Sequence, residues 1–168
     1  MTNESRTEER ARQGLESAGI AFEIVRHGPV ASLDEAALER GLDPSQVLKT
    51  IVVRRSEDEY LFVLVPGGRT IAWPKLRALL GVSRLSLPDQ HIALEVTGYE
   101  RGTITPFGSL TKCPVVADHR ILDVGKVSIG AGGHGVSATV DGAEMLRALS
   151  AQVADVTSQE ELGQSQRR

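Results

Sequence analysis

A single cysteine, Cys113, stands among 168 residues, so no disulfide can form within the chain. That usage fits a reducing compartment. Aromatic residues make up only 4% of the chain, so Leu, Val, Ile and Ala must fill the core. Tyr60, Phe62, Trp73, Tyr99 and Phe107 stand out against that background. No apolar run approaches the roughly 20 residues that span a bilayer. The opening stretch MTNESRTEERARQ is polar and lacks the apolar core of a secretory signal. These absences predict a cytoplasmic protein with no membrane association. A basic excess is missing as well: the formal net charge is −3, which argues against a general nucleic-acid coat. Arg54, Arg55, Arg69, Lys75, Arg77 and Arg84 still fall close together in the chain and would suffice for one local basic patch.

What is present is ordinary for a globular domain. Apolar residues are 40% and charged residues 24%, and the length suits one domain with its own core. The expected domain runs over 1–157, followed by a polar, disordered tail over 158–168. Helix formers over 4–18 predict a surface helix ended by Gly19, and alternation predicts a strand over 20–26 stopped by Pro29. Ser32 and Glu35 have capping-box spacing ahead of a short helix closed by Gly41. Asp43 and Pro44 predict one capped turn. The β-branched runs LKTIVVRR and YLFVLVPGG, joined by SEDE, predict a hairpin. With RTIAW they make a three-strand meander over 48–73. Further helices are expected at 74–80, 89–97 and 142–150, and strands at 114–117, on both sides of the glycine turn at 130–135, and at 151–157. The fold class is α+β, with a mixed, mainly antiparallel sheet.

Chemistry is harder to place. The four histidines are far apart and Cys113 has no cysteine partner, so no metal signature appears. Nothing sets a base beside Cys113, which reads as a buried, inert thiol. Gly130-Ala131-Gly132-Gly133 does not follow the dinucleotide-binding pattern. Lys49 lies where the capped turn enters a strand. Alternation alone favours its solvent face. If it faces a pocket instead, it is a compact charge suited to a phosphate or a carbonyl oxygen. Two glycine-rich loops, 98–108 and 130–135, allow close backbone approach to a ligand or an elaborate surface turn.

Taken in order, VLKTIVV at 47–53, a strand pair, VTGYERGTITPFG at 96–108, a strand, and VSIGAGGHG at 127–135 resemble the YbaK and prolyl-tRNA-synthetase-associated editing domain family. EIVRHGPVASLDEAALERG at 23–41 resembles its opening strand, loop and helix. The resemblance covers about 20–150. It implies a sheet curled into an irregular barrel flanked by helices. It also implies hydrolysis of the ester joining a wrong amino acid to tRNA, without metal or organic cofactor. The expected substrate is a small amino acid, Cys or Ala, on proline tRNA. The expected partners are the aminoacylated 3′ end and, for a free-standing member, a synthetase. The implied residues are Lys49 as the catalytic group, with His27, Thr50, Gly98, Pro106, Phe107, Gly108, Gly130 and Ser137 around the substrate. Ser137 stands where better-studied members often carry Asp, which removes a natural partner for a substrate ammonium. A non-catalytic module that binds a tRNA end, a nucleotide or a protein through the same pocket is the alternative.

Overall fold

The computed structural model describes residues 2–28 and 32–160. The expected stop at Pro29 and the tail beyond Glu160 lie outside these residues. Among the described residues no helix is long and apolar enough to cross a membrane. The chain runs α1 (Asn3–Ser17), β1 (Phe22–Arg26), α2 (Leu33–Glu39), a capped turn (Pro44–Gln46), β2 (Lys49–Ser56), β3 (Glu59–Val65) and β4 (Arg69–Ile71). It continues with α3 (Trp73–Leu80), α4 (Gln90–Thr97), β5 (Val115–Asp118), β6 (Lys126–Gly130), β7 (Val136–Asp141), α5 (Gly142–Ala148), β8 (Gln152–Ala154) and β9 (Thr157–Gln159).

Local chemistry explains where these elements start and stop. The Ser32 and Asp89 side chains accept the Glu35 and Ile92 amides at the starts of α2 and α4. Asp43 and Gln46 form a complete capping box around the turn at Pro44. α3 and α4 end in left-handed glycines, Gly81 and Gly98, a conformation that costs glycine little.

The strands form three sheets, ordered β1-β7-β6, β2-β3-β5-β8 and β4-β9. All ladders are antiparallel except β3–β5 and β5–β8. The expected α+β class with a mainly antiparallel arrangement holds, but the sheets do not close into a barrel. The three-strand meander is also corrected, because only β2 and β3 form the hairpin. Pro66 has no amide to continue the ladder. Gly67 is pressed so closely on the Pro44 carbonyl that a Cβ there would lie 2.0 Å from it. The chain therefore leaves the sheet, and β4 pairs with β9 instead. The closing strand expected at 151–157 divides into β8 and β9, and pairing runs to Gln159, past the expected boundary at 157.

β3 carries the core on both faces. Phe62 and Leu64 pack toward the sheet of β1, β7 and β6, while Leu61, Val63 and Val65 pack under α3. This accounts for the unbroken apolar run in YLFVLV, since a strand buried on both sides has no polar face. The two larger sheets meet just before β2, where the Leu48 amide donates to the Ser128 carbonyl at 2.9 Å and Val47 bridges Ser128. That junction brings the start of β2 beside the end of β6.

Candidate active site

Two adjoining clefts open at this junction, of about 560 and 930 Å³. Leu48, Gly102 and Gly130 line both. The smaller cleft adds His27, Arg40, Ser128, His134 and Ser137. The larger adds Lys49, Thr50, Leu87, Pro88, Arg101 and Ile104. Both glycine loops thus contribute to one continuous site.

Lys49 is the first residue of β2 and is half-buried, so it does not lie on the open solvent face that alternation favoured. Its ammonium donates to the Arg69 carbonyl at 2.7 Å. That bond ties the lysine to the chain just after the turn at Pro66, where β4 begins. Thr50 follows it, and its Oγ1 is buried with no hydrogen-bond partner.

In the smaller cleft, Arg40 Nη2 donates to His27 Nε2 at 2.8 Å. The imidazole proton therefore sits on Nδ1, 3.2 Å from the Gly28 carbonyl oxygen. Burial pushes the Arg40 pKa below its ordinary value, with Glu39 acting the other way; at neutral pH it remains a cation. Arg40 Nε is buried without a partner, and so is Ser137 Oγ, whose residue is 2% exposed. Ser137 sits on β7, the central strand of its sheet, opposite Val25 on one side and Gly130 on the other. Its backbone is fixed from both sides.

Gly130 does more than line the site. A Cβ there would lie 2.7 Å from the Ile104 carbonyl oxygen, so only glycine lets loop 98–108 settle over the end of β6. This contact carries Gly102 and Ile104 to the cleft. Gly98, Pro106, Phe107 and Gly108 line neither cleft. Phe107 is a core residue, and Gly98 and Gly108 face α1. Arg10 of α1 donates to the carbonyls of Gly108 at 2.6 Å and Thr97 at 3.1 Å. Its guanidinium lies 4.4 Å from the Tyr99 ring centre, and buried Tyr99 donates to the Phe107 carbonyl at 2.6 Å. Those loop ends hold the helix, while the middle of the loop meets the cleft.

Sequence reasoning missed Arg40, Arg101 and Gly102 as cleft residues. Gly102 stood inside the quoted loop, so it was within reach. Arg40 carried no signal, because a basic residue closing a short helix ordinarily serves the helix end. The expected basic patch is partly used up. Arg69 bonds Thr157, and Lys75 pairs with Asp155 at 2.9 Å. Cys113 is half-buried, and burial pushes its thiol pKa up, so it stays protonated at neutral pH. Among the described residues no group of three or more His, Cys, Asp or Glu is placed to hold a metal ion.

A family model described as an aminoacyl-tRNA editing domain matches residues 27–148. The chain belongs to this family. The match takes in every cleft residue named above, while α1 precedes it. The editing domain is similar to segments of proline–tRNA ligases. It is 31% identical over 99 residues to that of Thermosipho melanesiensis and 32% identical over 110 residues to that of Brachyspira hyodysenteriae. These segments are 59% and 66% of the chain, and only 17% and 19% of the two ligases. Among solved structures, a candidate trans-editing enzyme for prolyl tRNA synthetase superposes with a TM-score of 0.83 at 25% identity. That likeness covers 92% of this chain and 98% of the other. A scaffold protein used for epitope grafting gives 0.81 at 26% identity, covering 93% and 98%.

Proposed function

We propose that this editing domain acts in trans as an aminoacyl-tRNA hydrolase, clearing a small amino acid from mischarged proline tRNA. The observation that carries the reading is the position of its unpartnered polar atoms. Among the described residues, Arg40 Nε, Thr50 Oγ1 and Ser137 Oγ are the buried side-chain atoms without a hydrogen-bond partner. All three belong to residues that line the paired clefts. Buried polar groups are normally satisfied, so such a concentration points to groups that a ligand completes. The choice of proline tRNA is supported by the proline–tRNA ligase relatives and by the description of the structural neighbour.

In this reading the larger cleft receives the terminal adenosine, with Leu87, Pro88 and Ile104 against the base. The smaller cleft receives the amino-acid side chain, and the ester lies at the junction by Gly102 and Gly130. An aminoacyl ester is already activated, so no strong nucleophile is required. Water adds to the carbonyl carbon, the bond to the ribose oxygen breaks, and that oxygen takes the proton. The products are the free amino acid and the tRNA. The protein's part is to position the ester and stabilise the developing oxyanion. Lys49, held by the Arg69 carbonyl, supplies fixed positive charge beside the junction. The correct, larger prolyl group is excluded by size.

The test is a deacylation panel in which proline tRNA carries alanyl, cysteinyl, seryl or prolyl groups. Turnover of at least one small ester, with the prolyl ester spared, is the expected result. Binding of the tRNA without turnover of any ester would instead indicate a non-catalytic module.

A further inference from the structure

The charges of the chain are unevenly placed. Residues 49–88 hold seven of its 19 Lys and Arg but only three of its 22 Asp and Glu. Those three, Glu57, Asp58 and Glu59, sit together at the turn from β2 into β3. No acidic residue follows until Asp89, whose side chain is spent on the cap of α4. Of the seven cations, Lys49 and Arg69 bond within the fold and Lys75 is paired with Asp155. Arg54, Arg55, Arg77 and Arg84 remain, and among the described residues none of them forms an ion pair. We propose that these four arginines are the docking face for the phosphates of the tRNA 3′ strand where it leaves the larger cleft. This rests on the hydrolase reading above and adds where on the protein the nucleic acid lies.

The fold gathers the four at one place. β2 is the outer strand of its sheet, and the segment after α3 runs along its open edge. There the Arg54 amide donates to the Ser86 carbonyl at 2.7 Å, and the Ser86 amide donates back to the Arg54 carbonyl at 3.1 Å. Arg84 stands two residues before this bridge. Arg55 Nη2 donates to the Leu80 carbonyl at 3.4 Å, which sets it against the end of α3. Arg77 lies one turn earlier in that helix, and its carbonyl accepts the Val82 amide at 3.1 Å. Arg55 and Arg84 are exposed, and Arg54 and Arg77 are half-buried.

The face is continuous with the cleft. Thr50, Val52 and Arg54 share one side of β2 by alternation, and the first two line the larger cleft. Leu87 and Pro88, which also line it, follow directly on Ser86. Four residues of strand place Arg54 about 13 Å from Thr50. A stacked strand advances about 3.4 Å per nucleotide, so an RNA seated by its terminal adenosine passes Arg54 about four nucleotides back. That is where the unpaired 3′ end of a tRNA meets its acceptor duplex. A guanidinium suits phosphate oxygens there, because its donors form a planar fork. Contacts of this kind fix register and supply affinity without reading sequence. A local face also explains how a chain of net charge −3 holds a polyanion.

The test places one small aminoacyl ester on two carriers, the full proline tRNA and a CCA trinucleotide that ends short of the arginines. The kcat/KM is measured at several salt concentrations for the wild type and the double variant Arg54→Gln/Arg84→Gln. On the tRNA the variant is expected to lose at least about tenfold at about 0.1 M salt, with the slope of log kcat/KM against log salt shallower by about 1.5. On the trinucleotide, wild type and variant are expected to be equal. Their thermal unfolding should coincide, since neither side chain forms an ion pair. Equal rates and slopes on the tRNA overturn the proposal. So does an equal loss on both carriers, which would put the effect inside the cleft. A loss seen only when prolyl-tRNA synthetase is added also overturns it, and assigns the face to a protein partner. A wild type that hydrolyses neither carrier removes the hydrolase reading alone. The double variant must then still bind uncharged proline tRNA at least about tenfold more weakly, with the shallower salt slope, or the docking face falls as well.

Discussion

At the scale of single residues, Arg40, Thr50 and Ser137 line the clefts and each carries a buried polar atom whose hydrogen bonding is left incomplete. Thr50 shows the consequence most simply. Its Oγ1 is buried and unpartnered, so the ligand-free protein gains nothing from it. Thr50→Val keeps the shape and removes the hydroxyl. Stability in urea is therefore expected to hold or rise by up to about 1 kcal/mol, while kcat/KM on the cleaved ester falls about tenfold or more. Loss of stability without loss of activity would mean that the hydroxyl is structural. Lys49 was visible in VLKTIVV as a charge set among apolar residues, and so was its position at a strand start. Its face was not, because the Arg69 carbonyl that holds it arrives from beyond a turn whose exit the sequence pattern misplaced. Arg40 was invisible for the same kind of reason: its partner His27 is 13 residues away in a different element.

At the scale of elements, α1 and the two glycine loops form one unit. Thr7 donates to the Gly132 carbonyl at 2.5 Å, and Glu4 accepts the His134 amide at 2.6 Å. Arg10 holds the other loop through Gly108 and Thr97. The helix thus ties together two loops that both reach the cleft, although it lies outside the matched family segment. Gly14 makes the close approach possible, because a Cβ there would meet Gly108 N at 2.4 Å. Gly14→Ala should improve helix propensity yet lower stability by about 2 kcal/mol, as overpacking against a fixed backbone does. Deacylation should fall with it, through a loop no longer held over β6. A variant as stable and active as wild type would show that the clamp is not needed. Helix caps and glycine stops were legible because they are local. The glycines of 98–108 were read as ligand-facing, yet Gly98 and Gly108 serve packing against α1. A sequence does not distinguish a glycine that admits a ligand from one that admits a helix.

At the scale of the whole molecule, the last strands are joined to the core through Asp118. Its side chain is fully buried and accepts from Thr157 Oγ1 at 2.8 Å, from the Val156 and Arg120 amides, and from the Arg120 guanidinium. Burial by itself would raise its pKa, but these hydrogen bonds outweigh it and leave the carboxyl below its ordinary range. A folded-state pKa below the unfolded one gives stability that is complete above the ordinary carboxylate range. That stability is lost as pH falls through the lower, folded-state value. The urea midpoint of the wild type should therefore drop below about pH 4. Asp118→Asn should cost about 3 kcal/mol at neutral pH and show a shallower acid dependence. Equal acid sensitivity in both proteins would assign the effect to other carboxylates. This hub, like the parallel β3–β5 and β5–β8 ladders, joins segments far apart in the chain. The class was readable from alternating patterns and turn residues, but which strands would pair over such distances was not.

The central claim is that one site, built around Lys49, hydrolyses the ester of a mischarged proline tRNA. Single-turnover deacylation of small aminoacyl esters on that tRNA, by wild type and by Lys49→Ala, tests it most directly. Lys49→Ala should bind the tRNA and unfold at nearly the wild-type temperature, yet lose on the order of 100-fold in rate, as expected when a charge beside a developing oxyanion is removed. Undiminished deacylation by Lys49→Ala, or none by the wild type, would contradict it.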